Sequence, residues 1–212
     1  MRLYDYAASA NCYKPRLLLA LLRRDYERVP VDIFDGETLT DDYAALNPAR
    51  ETPVLQIDDG RTLTQSNAIL WYLAEGTPFL PTGAFERGQV AQWLFFEQEW
   101  VMRGIGAARF WTLTGRGSNA LATRLAMGEK ALAMLEARLE SRSFLVGEAC
   151  SIADLSNFAY THVAADAGLP LQDYPAVGAW LDRVRAQPGF VNDLAPYPEN
   201  ARPRRGRSIY DA

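Results

Sequence analysis

The sequence predicts an α/β domain on a mixed four-stranded sheet, followed by an all-helical domain. Three observations predict it. Short strand-like and helix-like segments alternate over residues 1–76. Asp58-Asp59-Gly60 stands between two short strand-like runs, where Asp-Gly is a strong hairpin signal. Strand patterning then stops after a stretch rich in Pro, Thr and Gly at 77–84, which reads as a linker. That change of class predicts two domains, 1–76 and 85–212.

The elements follow in order. Residues 2–5 read as a strand. Residues 16–24 (RLLLALLRR) are apolar with a basic end, as a helix macrodipole favours. Residues 27–32 alternate again. Residues 41–46 form a short helix closed by Asn47-Pro48, since a proline restricts the residue before it. Residues 53–57 and 61–64 are the hairpin strands. Residues 66–75 form a helix with Ser66 as N-cap and Gly76 as stop. The order β-α-β-α-β-β-α requires a parallel crossover first and an antiparallel hairpin last. Beyond the linker, 85–111, 119–140, 151–167 and 174–186 read as helices. The Arg-rich stretch 202–207 reads as a solvated, disordered end.

Bulk properties narrow the function classes. Hydrophobic residues make up 49 % of the 212 and charged residues 23 %, as in a globular protein with a real core. A net charge of −4 points neither to nucleic acid nor to an anionic membrane. No run approaches the ~18 apolar residues of a membrane span, and no apolar signal segment stands at the N-terminus. Two cysteines are too few for a disulfide framework, which fits a reducing, cytoplasmic setting. No Cys/His/Asp/Glu spacing suggests a metal, and no Gly-rich loop suggests a phosphate site. His162, the only histidine, reads as structural within its helix.

Four local features stand out. Ser9-Ala-Asn11 lies between the first strand and first helix. Thr52-Pro53 precedes the third strand. Gln65-Ser66 opens the third helix, whose free N–H groups suit a carboxylate. Ser151-Ile-Ala-Asp154 is a capping box with Asp in place of the usual Glu or Gln, and Cys150 before it reads as a small apolar residue.

These features, in this order and spacing, resemble the cytosolic-type glutathione transferases over nearly the whole chain. Gln92 to Gln98 (QWLFFEQ) and Ala108 to Trp111 (ARFW) are similar to bacterial members. The resemblance implies a thioredoxin-like first domain that binds glutathione as co-substrate, and a helical domain that takes a small electrophile. It implies that Thr52, before a cis Pro53, offers its backbone to the cysteinyl part, and that Gln65 and Ser66 hold the γ-glutamyl end. Glu51 belongs to the same turn. Relatives carry a cation for the glycyl carboxylate where this chain has Thr38-Leu39-Thr40. Arg50 either replaces that charge or is merely solvent-exposed. The resemblance further implies a homodimer with contacts along 67–72 and 87–97.

Glutathione reacts as its thiolate. A free thiol of pKa about 8.5 is only ~3 % ionised at pH 7. Lowering that pKa by ~2 units takes ~2.7 kcal/mol. One hydrogen bond to the charged sulfur supplies roughly 1.5–3 kcal/mol, so a single hydroxyl donor suffices. The candidates are Tyr4, Tyr6, Ser9, Asn11, Cys12 and Tyr13. Ser9 matches the catalytic serine of the phi and theta classes. Ser9-Ala-Asn11 is also similar to the Thr-Pro-Asn of the nu class, where the Asn amide stands near the sulfur. Tyr6 and Cys12 are the rivals, Cys12 by a mixed-disulfide route.

Trp100, Arg103, Ala107, Phe110 and Trp111 recur at helical spacing and form the candidate second-substrate stripe, with core packing as the alternative. Gly104 and Gly106 weaken that helix, as a substrate groove would allow. Three functions remain open: conjugation to an electrophile, glutathione-dependent disulfide or peroxide reduction, and a non-enzymatic interaction module of the same fold.

Overall fold

The computed structural model describes residues 1–116 and 120–211, in two compact units: 1–73 with 192–212, and 74–191. The helix start expected at residue 119 and the last residue of the expected second domain lie outside the described residues.

The first unit holds β1 (Arg2–Asp5), α1 (Ala10–Leu21), β2 (Glu27–Pro30), α2 (Asp41–Leu46), β3 (Val54–Gln56), β4 (Thr62–Thr64) and α3 (Ser66–Ala74). A 3-10 turn at Glu37–Leu39, not expected from the sequence, precedes α2. The sheet order is β2-β1-β3-β4, with β1 parallel to β2 and the other pairs antiparallel. This is the mixed four-stranded, thioredoxin-like sheet. Leu3, Leu17, Leu18, Val54, Leu55, Ile69 and Leu70, all fully buried, are part of its core. Helix α1 begins six residues earlier than expected and ends at Leu21, with Pro15 inside it. Ser9 explains the early start. Its extended backbone and side-chain oxygen cap the helix by accepting the Cys12 N–H.

The second unit contains α4 (Ala84–Phe96), a π-helical stretch (Glu97–Gly106), α5 (Ala107–Thr114), α6 (Leu121–Leu139), α7 (Ile152–Thr161) and α8 (Pro175–Arg185). The long helix expected from residue 85 is therefore real but changes winding midway. Its glycines correct the sequence reading. A Cβ on Gly104 would lie 2.6 Å from the Gly128 backbone nitrogen, and one on Gly106 would lie 2.8 Å from the Tyr160 ring. Both serve close packing of the helix rather than a groove. His162 is structural: its ring stacks on Phe158 at 4.6 Å, and Nδ1 lies 2.9 Å from the Phe158 carbonyl. Among the described residues, no helix is long and apolar enough to cross a membrane.

The C-terminal segment differs most from expectation. It packs on the first unit, not with the helices, and it is ordered against that unit's backbone. Ala195 N–H donates to the Ala7 carbonyl and Arg207 N–H to the Phe34 carbonyl, at 3.1 and 2.7 Å. Asn200 Nδ2 donates to Asp32 Oδ2 at 2.8 Å. At Gly206 any Cβ would collide with the Phe34 and Asn200 carbonyls, so only glycine permits this approach. The arginines at 202, 204 and 205 do face solvent, which is what the composition reported; the backbone beneath them is tied down.

Candidate functional site

The sheet register explains why distant residues meet. Tyr4 pairs with Val54, Val54 with Thr64, and Asp5 with Pro30. The ends of β1, β2 and β4 and the start of β3 therefore share one edge. The connections carrying Ser9, residues 31–40, Thr52-Pro53 and Gln65-Ser66 all leave from that edge. Ligands of open α/β sheets favour such an edge.

Thr52-Pro53 is a cis bond, as the resemblance implies. Its approach is held by two residues that sequence reasoning missed. Tyr43 Oη and Asn47 Nδ2 both donate to the Glu51 carbonyl, at 3.0 and 2.8 Å. Asn47 Oδ1 accepts from Ala49 N–H two residues on, an Asx-turn. The only sequence signal was Asn47-Pro48, which also reads as a plain helix stop. The Glu51 side chain itself is exposed.

Gln65 is exposed and has φ +69, uncommon for a non-glycine residue. It sets the entry to α3, and Ser66 is buried as the first helical residue rather than the residue before it. Ser66 Oγ lies 3.3 Å from Asn11 Oδ1, and Lys14 Nζ lies 3.3 Å from Ser66 Oγ and 3.0 Å from Asn11 Oδ1. The structure thus joins Ser66 to Asn11 and adds a lysine that nothing in the sequence singled out.

The Ser9 oxygen accepts from Cys12 N–H at 3.3 Å, and the Ser9 side chain also hydrogen-bonds the Cys12 thiol. Cys12 is fully buried, with Tyr6 N–H 3.4 Å from its Sγ. Burial first, and the Asp5 charge second, push the Cys12 thiol up to about 11. A raised thiol pKa works against the thiolate that a mixed-disulfide route needs. Tyr6 is also buried, its ring edge-on to Phe34 at 5.8 Å, and burial raises its pKa.

Arg50 Nη1 donates to the Thr38 and Thr40 carbonyls, at 3.1 and 2.9 Å, and its Nη2 lies 3.7 Å from Asp41 Oδ1. Within the second unit, Trp100, Ala107, Phe110 and Trp111 are half-buried. Arg103 is exposed and pairs with Glu99 at 3.0 Å. Val101, Ile105 and Ala108 form the buried side of the same helical run, so the stripe is not its core face. Among the described residues there is no group of three or more His, Cys, Asp or Glu able to hold a metal ion.

Comparison with known proteins yields matches in both units. Residues 8–75 match the glutathione S-transferase N-terminal domain, and 119–188 match the C-terminal domain. A crystal structure of a glutathione S-transferase from Pseudomonas fluorescens is 42 % identical, covers 92 % of this chain and 98 % of its own, and superposes with a TM-score of 0.88. Disulfide-bond oxidoreductase YfcG of Escherichia coli is 28 % identical over 86 % of this chain and 89 % of its own. Maleylacetoacetate isomerase of Pseudomonas aeruginosa is 44 % identical over 80 residues, only 37 % of this chain and 38 % of that enzyme.

Proposed function

Because this chain belongs to the glutathione S-transferase family, we propose that it binds glutathione in its first unit and conjugates the thiolate to small electrophiles. Ser9 gives its hydroxyl hydrogen to the sulfur. Thr52 presents its backbone to the cysteinyl part, Gln65 and Ser66 receive the γ-glutamyl end, and Arg50 faces the glycyl carboxylate. In the helical unit, Trp100, Arg103, Ala107, Phe110 and Trp111 are the residues proposed to take the electrophile. The observation that carries this reading is the Ser9 cap, which sets the hydroxyl beside the N-terminus of α1.

Ser9→Ala is expected to raise the pKa of bound glutathione by about 1–2 units and slow conjugation at neutral pH ~10–100-fold, the loss of one charge-assisted hydrogen bond. Ser9→Gly retains most of the capping stability and is expected to lose activity alike, which separates the hydroxyl from the cap. The check is thiolate ultraviolet absorbance against pH in the binary complex. An unchanged thiol pKa in both variants overturns the serine mechanism, and absence of any thiolate signal in the wild type overturns glutathione binding.

A second reading has its own support. The Ser-x-Asn spacing and the YfcG relative favour disulfide reduction, in which two glutathione molecules reduce a disulfide to two thiols and leave as glutathione disulfide. In this reading too the reacting sulfur is glutathione's, which the burial of Cys12 supports. Parallel assays with a chloronitrobenzene and hydroxyethyl disulfide discriminate the two.

We also propose a homodimer with contacts along 67–72 and 87–97. Tyr72 and Phe95, within those segments, are 50 % and 75 % exposed and offer apolar surface for such contacts. Light scattering at micromolar concentration is expected to give twice the chain mass; a monomer refutes it.

A further inference from the structure

Lys14 lies in the second turn of α1 and is fully buried. Burying an ammonium costs several kcal/mol, so it is a weak device for stability alone. What it touches is the glutathione-site machinery proposed above. Its Nζ is 3.0 Å from Asn11 Oδ1 and 3.3 Å from Ser66 Oγ, and Ser66 Oγ is 3.3 Å from Asn11 Oδ1. The three side chains close a triangle between α1 and the start of α3.

The triangle decides which way the Asn11 amide faces. An ammonium can only donate, so the Asn11 atom it meets must be the carbonyl oxygen. The orientation of a carboxamide is assigned from such partners, and here a cation leaves one choice. With Oδ1 engaged by Lys14 and Ser66, the Nδ2 hydrogens are left on the other side of the half-buried group. Without the cation, the amide could turn and present an oxygen to a thiolate, which would repel it.

We propose that Lys14 is a positioning residue: it locks the Asn11 carboxamide with Oδ1 inward, so that Nδ2 is the second donor to the glutathione thiolate beside Ser9. This rests on the glutathione reading, and its test is built to fail separately from it. Lys14 does not itself touch the sulfur; it acts through Asn11.

The test uses the full chain with glutathione and with S-methylglutathione, which has the same carboxylates but no ionisable thiol. In Lys14→Met, bound glutathione is expected to show a thiol pKa higher by about one unit, a tenfold loss of thiolate. Affinity for S-methylglutathione is expected to fall by much less than tenfold, since Ser66 keeps its backbone N–H at the helix N-terminus for the carboxylate. In an Asn11→Ala background, Lys14→Met is expected to add nothing. Asn11→Asp supplies a variant that keeps an oxygen for Lys14 but has no N–H. It is expected to fold with undiminished melting temperature and to raise the thiol pKa at least as much as Asn11→Ala. A tenfold fall in S-methylglutathione affinity in Lys14→Met would make the lysine a carboxylate receptor or a structural group and overturn the proposal. So would additive effects of the two substitutions, or an unshifted thiol pKa in Asn11→Asp. Wild-type binding of both ligands reports on the glutathione reading itself, whatever Lys14 does.

Discussion

Asp154→Ala is expected to destabilise the helical unit by about 3–5 kcal/mol, since several buried donors lose their acceptor at once. Asp154 is fully buried. Its Oδ1 accepts from Leu145 N–H at 2.8 Å and Trp180 Nε1–H at 2.9 Å. Its Oδ2 accepts from Ser151 N–H at 2.9 Å and the Ser151 hydroxyl at 3.0 Å. Each abandoned donor costs ~1–3 kcal/mol, but the site can relax, so the sum is not reached. Asp154→Asn keeps an accepting oxygen and is expected to lose about half as much. Urea unfolding followed by tryptophan fluorescence measures both, and Trp180 is one of the reporters. Equal stability of Asp154→Ala and wild type would refute the argument.

Asp5→Ala should be comparably costly in the first unit. Asp5 and Arg16 are buried together, with side chains 0 % and 1 % exposed. Arg28 reaches the other Asp5 oxygen from β2 at 2.6 Å. Arg16 Nε donates to both oxygens of Asp193 at 3.0 Å. Two carboxylates and two guanidiniums thus balance across β1, α1, β2 and the C-terminal segment. Removing Asp5 leaves the buried guanidinium of Arg16 with only the half-exposed Asp193, a loss of about 3–5 kcal/mol. Replacing the pair, Asp5→Ala with Arg16→Met, is expected to recover part of it, because the desolvated charge is gone. Thermal unfolding checks this; a double variant less stable than Asp5→Ala contradicts it.

The two clusters differ in how much of each could be read in advance. Ser151 and Asp154 are three residues apart, and a capping box is local chemistry, so its spacing is visible in the chain. Trp180, the fourth donor to that carboxylate, is 26 positions away and left no local sign. Thr52-Pro53 and Gln65-Ser66 were likewise legible, because each marks where an element starts; Ser9 was singled out as a thiolate-donor candidate, not as the cap of a helix that read as starting at residue 16. Lys14 was not. Just ahead of the run that reads as the first helix it looks like any surface lysine, and its bonded partner Ser66 lies 52 residues on.

By itself the sequence determined what depends on neighbours within a few residues. That covers the β-α-β-α-β-β-α order, the Asp58-Asp59-Gly60 hairpin and the capping box at Ser151. Local backbone preference and hydrophobic period are enough for these. Only the tertiary structure decided where chain returns and charge burial fall. The packing of residues 192–211 on the first unit and the close approach of Gly104 to Gly128 came from it, as did the orientation of the Asn11 amide. Each of these is fixed by partners brought close in space, such as Arg16 with Asp193 at a separation of 177 positions, and no local propensity encodes a contact at that range.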